Sequence, residues 1–186
     1  MYKDIPAGQP SGKSASVLYG LIYGAASIAF TVFLYLGGVK AFMSPVARLG
    51  IVIPIAFAVL TAWQQKKIQG GYLEFSDGLK TIFKALVIGL TLSMVFEYIL
   101  FNYIDVSFTQ ALMQATSQEM EKSLQGQMSQ EKIDEAVEKI GTIDQHSFKI
   151  QALTFAIRCI LHFVLALIVS AIMKKKRPMF ENSFNQ

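Results

Sequence analysis

Charge is scarce in this 186-residue chain: only 16% of its residues are Asp, Glu, Lys or Arg, where an average soluble domain carries about one quarter. That shortage disfavours both an ordinary water-facing domain and a disordered, charge-rich chain. Cysteine is scarcer still. Cys159 stands alone, so no intramolecular disulfide and no cysteine-based zinc spacing exists, and the redox compartment cannot be read from thiols. Uncharged apolar sequence takes the place of charge. Between Lys13 and Lys40 run 26 residues without a charge, more than the roughly 18 that mark a membrane-span candidate.

Four such runs define the expected organisation, a single membrane domain over 1–186. The first span is read at 17–38, the second at 49–65, the third at 81–104 and the fourth at 150–173. At ~1.5 Å rise per residue the first covers about 33 Å against a ~30 Å hydrocarbon core. Lys3 and Lys13 precede it, as in a secretory signal. Its apolar stretch nevertheless exceeds the ~7–15 residues of a signal core, and an uncleaved span is expected. The second span ends near Trp63, an interface-type residue.

Basic residues set the expected orientation. Four spans put both termini and the 64–84 loop on one side, which then holds ten Lys and Arg against six on the other. The Lys174–Arg177 run abuts the fourth span and weighs most, so both termini are expected in the cytoplasm, in a bacterial inner membrane. A basic run in that position marks topology and attracts anionic headgroups rather than nucleic acid. The 14 Phe and seven Tyr fit spans and aromatic belts better than a base-stacking surface.

The 45-residue loop at 105–149 is too long to lack structure of its own. It reads as an extracytoplasmic helical hairpin. Thr116 with Glu119 forms a capping-box pattern for one helix, and Ser129, flanked by Met128 and Ile133, starts the other. Gly141 is placed where a helix-ending glycine belongs. In the 64–84 loop, Gly70 and Gly71 break the second helix, and Ser76 or Asp77 is expected to cap the next.

The Gly70-to-Lys80 stretch Gly-Gly-Tyr-Leu-Glu-Phe-Ser-Asp-Gly-Leu-Lys, the span end Phe101-Asn102-Tyr103-Ile104-Asp105 and the helical outer loop together resemble domain-of-unknown-function family 4199. That family consists of four-span inner-membrane proteins found mainly in Bacteroidota. The resemblance extends from the first span to the basic tail and implies the same topology. It implies no established activity, so no functional residue is carried over. Neighbouring genes in the family often encode a polyprenyl-phosphate-type glycosyltransferase, which implies an envelope context.

Within the spans, small or polar residues recur every fourth position: Gly20, Gly24, Ser27, Thr31; Gly50, Pro54, Ala58, Ala62; Ala85, Gly89, Ser93, Glu97; Thr154, Arg158, His162, Ala166, Ser170. Residues four apart share a helix face, and small faces let membrane helices approach closely. Gly20, Gly24, Gly50, Pro54, Gly89 and Ser93 are therefore the expected packing residues. Pro54 is expected to kink or loosen its helix. The Gly20 face could also support self-association.

Glu97 lies eight residues from Asp105 and Arg158 nine from Lys149, depths of about 12 and 13 Å at helical rise. Each charge alone would cost at least ~2.5 kcal/mol at the bilayer centre. An ion pair is the natural resolution, with His162 one turn deeper. It is either a register device for two helices or part of a proton or anion path in a small transporter, with His162 titrating. His146, Asp144 and Ser147 give no triad geometry, and no catalytic residue, metal site or cofactor is expected. The composite expectation is an all-α integral membrane four-helix bundle. Its expected role is a non-enzymatic accessory or scaffold subunit in the cell envelope, meeting lipid and a membrane protein partner or a second copy of itself.

Overall fold

The computed structural model describes residues 12–125, 127–142 and 147–176. Of these, 89% are helical and none belongs to a strand, so the fold is all-α as its apolar runs require. The helices are α1 (Gly12–Leu36), α2 (Gly38–Met43), α3 (Pro45–Arg48), α4 (Val52–Ile68), α5 (Phe75–Ile99), α6 (Val106–Leu124), α7 (Gln130–Thr142) and α8 (Phe148–Met173). A 3-10 turn, Leu49–Ile51, leads into α4, and a π-helical turn, Leu100–Ile104, extends α5.

Four segments are long and apolar enough to cross a membrane: Ala15–Leu36, Pro45–Ile68, Phe75–Ile104 and Lys149–Met173. They coincide with the four expected runs. Their outward faces are apolar: Leu36 is 80% exposed, Ile172 74% and Ile160 62%. Soluble proteins do not leave such continuous apolar helix faces uncovered, whereas a bilayer covers them. This is a multi-pass membrane protein.

The described chain forms two compact units. One comprises the described parts of Met1–Ser27, Ile51–Leu92 and Arg158–Gln186, the other Ile28–Gly50 and Ser93–Ile157. The core of the first is Tyr23, Ala58, Ala62, Leu73, Ile82, Leu86, Ala166 and Val169, with Phe57, Phe83 and Met173 packed around it. Ala58 and Ala62 on α4 and Ala166 and Ser170 on α8 are fully buried. The fourfold stripes therefore face inward, because only small side chains leave room for a neighbouring helix backbone.

In this unit α4 ends in a Schellman motif. The Gly70 N–H donates to the Lys67 carbonyl at 3.2 Å and the Gly71 N–H to the Lys66 carbonyl at 2.8 Å. Both glycines have positive φ, 71° and 92°, a region that costs other L-residues about 1–2 kcal/mol. The chain then runs as an extended segment through Leu73, which exchanges two 2.9 Å backbone bonds with Lys175. Helix α5 begins at Phe75, two to three residues before a Ser76 or Asp77 cap would allow. The buried side chain of Leu73 fixes the turn ahead of either polar residue. Asp77 instead accepts a 3.1 Å bond from Gln69 Nε2.

In the second unit, α2 and α6 pack together and α6 forms a hairpin with α7. Helix α6 starts ten residues before the expected Thr116 cap. Asp105 caps it, its Oδ1 accepting from the Phe108 N–H at 2.9 Å. Thr116 lies inside the helix and donates to the Leu112 carbonyl. The expected start of α7 holds, with Gln130 its first residue and the Ser129 carbonyl accepting from Lys132 and Ile133. Gly141 falls inside the last turn rather than after it. Ile133 is buried; the side chains of Val137 and Ile140 lie outside the described residues.

Candidate functional site

Among the polar residues of the spans, His162 bonds through both ring nitrogens. It lies on α8, one turn beyond Arg158. Its Nδ1 is 2.7 Å from the Arg158 carbonyl oxygen, and a carbonyl only accepts, so Nδ1 carries a hydrogen. Its Nε2 is 2.8 Å from the hydroxyl of Tyr23 on α1. A neutral ring with its proton on Nδ1 satisfies both bonds, Tyr23 donating to Nε2. The two rings lie 6.0 Å apart, and Phe57 of α4 stands 5.7 Å from the Tyr23 ring on another side. Residues of three helices, α1, α4 and α8, thus meet at the Tyr23 side chain.

Tyr23 can take this position because of the glycines around it. It is 4% exposed, and a Cβ on Gly89 would collide with its ring and stand 2.7 Å from the Gly20 carbonyl. A Cβ on Gly20 would lie 2.8 Å from the Ala85 carbonyl, and one on Gly24 3.2 Å from the Gly89 Cα. Gly20 and Gly24 therefore pack against Ala85 and Gly89 of α5 within one chain. That covers the face from which self-association was expected. Close backbone approach accounts for three of the six packing residues.

The other three fall elsewhere. Ser93 is buried on α5. Gly50 stands against the Phe30 ring, which a Cβ would meet at 3.0 Å. Pro54 lies in the first turn of α4, directly after the Leu49–Ile51 3-10 turn. Its missing N–H removes the helical donor to the Gly50 carbonyl.

Glu97 and Arg158 belong to different units. Both are partly buried and neither is without a partner. Asp144 and His146 lie outside the described residues. Among the described residues no three His, Cys, Asp or Glu side chains gather as a metal ion would need. Cys159 is a free thiol.

A second polar centre, at Asp105, has no counterpart in the fourfold pattern. Asp105 Oδ1 accepts from Ser107 Oγ at 2.6 Å as well as from the Phe108 N–H, and Oδ2 accepts from Tyr35 Oη at 2.8 Å. Its partners Tyr35 and Phe108 belong to a ring cluster with Phe42 and Phe101, at ring spacings of 5.0–5.9 Å. These bonds favour the ionised carboxyl: Ser107, then Tyr35, then the Phe108 N–H hold its pKa below the ordinary 3.8, against a smaller opposing effect of burial. The π-helical turn ends here, the Asp105 N–H donating to the Leu100 carbonyl at 2.8 Å. The sequence signals were an Asp directly before a new apolar run and an Asp-x-Ser spacing, both N-cap chemistry.

Comparison with curated proteins and with solved structures gives no match. The family model described as Protein of unknown function (DUF4199) matches residues 18–175, well over half of the sequence, and the chain belongs to that family.

Proposed function

We propose that this protein is a non-enzymatic accessory or scaffold subunit of a bacterial cytoplasmic membrane, with both termini in the cytoplasm and the α6–α7 hairpin outside. The observation that carries the reading is the environment of His162. Both ring nitrogens are engaged within the protein, one by Tyr23 and one by the backbone of its own helix. The polar group best suited to relay a proton is thereby used to join α1 to α8. What remains open to a partner is apolar helix surface and a polar hairpin. Among the described side chains of α7, the exposed acids Glu131, Asp134, Glu135 and Glu138 outnumber the exposed Lys132. An extracytoplasmic hairpin of that charge suits contact with another envelope protein.

Affinity purification of the full chain from its native membranes, after mild cross-linking and with mass spectrometric readout, tests this. One membrane protein recovered in near-stoichiometric amount is the expected result. Recovery of the chain with itself alone would overturn the accessory reading. So would a proton flux in proteoliposomes that the His162→Gln variant abolishes.

A further inference from the structure

The end of the first unit at which α4, α5 and α8 meet the extended segment carries a fixed set of lysines. Between residues 63–77 and 174–176 there are five lysines and only two carboxylates, Glu74 and Asp77. Asp77 is engaged by Gln69. A basic tail beyond a span would ordinarily hang free. Here Lys175 and Leu73 exchange two backbone bonds at 2.9 Å, and Lys66 Nζ reaches the Met173 carbonyl at 3.4 Å. The tail is thus clasped to the turn that follows α4. Two ammonium groups are also held over aromatic rings, Lys67 over Trp63 at 5.5 Å and Lys175 over Tyr72 at 5.6 Å. Both rings are of the type that prefers headgroup depth. Exposed apolar side chains lie close by in the chain, Trp63 at 53%, Phe75 at 40% and Ile172 at 74%.

We propose that this clasp is a binding site for the phosphate-bearing headgroup of an anionic phospholipid. The lysines neutralise the phosphate, and the exposed apolar side chains next to them receive the upper acyl chains. A diffuse basic surface would need only the count of charges. The clasp adds position: the Schellman turn, the paired backbone and the aromatic platforms hold Lys66, Lys67 and Lys175 in place before a lipid arrives, which lowers the entropy that binding must overcome. Acyl contacts distinguish this occupant from free phosphate. The inference requires only that the helices lie in a bilayer, so its failure would leave the accessory reading untouched.

Trp63 is the sole tryptophan and reports on the site directly. The full chain is reconstituted in phosphatidylcholine nanodiscs, and Trp63 fluorescence is quenched with headgroup-labelled phosphatidylglycerol or with equally labelled phosphatidylcholine. The anionic probe is expected to reach half-quenching at a mole fraction lower by about fivefold for each lysine engaged. Lys67→Gln with Lys175→Gln should abolish that preference, whereas Lys80→Gln with Lys84→Gln, the same charge change on α5, should retain it. Tyr72→Leu, which alters no charge, should weaken it by a factor of roughly three, the value of an exposed cation–π contact. Equal losses in the two lysine pairs would reduce the site to diffuse charge and overturn the proposal. So would equal quenching by both probes, or complete displacement of the lipid by millimolar inorganic phosphate.

Discussion

The hydroxyl of Tyr23 is 2.8 Å from His162 Nε2, and removing it deprives a partly buried nitrogen acceptor of that donor. Interhelical hydrogen bonds in membranes contribute about 0.6–2 kcal/mol, and an orphaned buried acceptor costs about 1–3 kcal/mol. Tyr23→Phe should therefore lower the detergent-solubilised protein's stability by about 1 kcal/mol, seen as a fall in its melting temperature. Adding His162→Leu should cost less than the sum of the two single changes, because both polar partners are then gone. Additive losses would mean that the two side chains do not act on each other. Asp105 gives a pH dependence. Its carboxyl has a folded-state pKa below 3.8, chiefly through Ser107 and then Tyr35. A depressed carboxyl contributes stability in full above its unfolded value, and that contribution fades as pH falls through the folded one. Protection of the α6 amides from hydrogen exchange should be flat from neutral pH down to about 4 and decline below it. Asp105→Asn should flatten the decline.

At the scale of the helices, glycine sets how closely α1 and α5 approach. Gly89→Ala places a methyl against the Tyr23 ring and the Gly20 carbonyl, and overpacking of that kind costs about 1–3 kcal/mol. Ala25→Leu, at an exposed position on α1, should stay within about 0.5 kcal/mol; comparable losses in both would show that α1 does not meet α5 through its small face. Gly71→Ala, forced to φ 92°, should lose about 1–2 kcal/mol, and thermal unfolding reads it. The inward stripes were legible because the fourfold spacing of Ala58, Ala62, Ala166 and Ser170 states directly which face is buried. The start of α6 was not. Thr116 with Glu119 has the form of a capping box, but that form names a local possibility, and the helix was already under way from Asp105. Tyr23 escaped notice for a different reason: a single aromatic in an apolar run looks like any lipid-facing residue, and only the neighbouring Gly89 reveals a slot for it. The short helices α2 and α3 were hidden because the chain between Leu36 and Val52 carries glycines and a proline. They end helices but also begin them, as Pro45 does at the first position of α3.

For the molecule as a whole, the shortage of charge takes on a geometric meaning. Four apolar helices expose many of their large side chains, while Ala58, Ala62, Ser93, Ala166 and Ser170 are buried. The sequence states the number of spans and the buried faces, since both are periodic. It leaves the clasp between Leu73 and Lys175 unannounced, because backbone pairing over about a hundred residues has no local signature. The solitary Cys159 makes the topology directly measurable. In a Cys159→Ser background, single cysteines are placed at Gln127 in the α6–α7 turn and at Lys176 after α8, and intact cells are treated with a membrane-impermeant maleimide. Gln127→Cys should be labelled in intact cells, and Lys176→Cys only after the membrane is opened. Labelling of both from outside, or of Lys176→Cys alone, would contradict a chain that crosses the membrane four times with its basic tail in the cytoplasm.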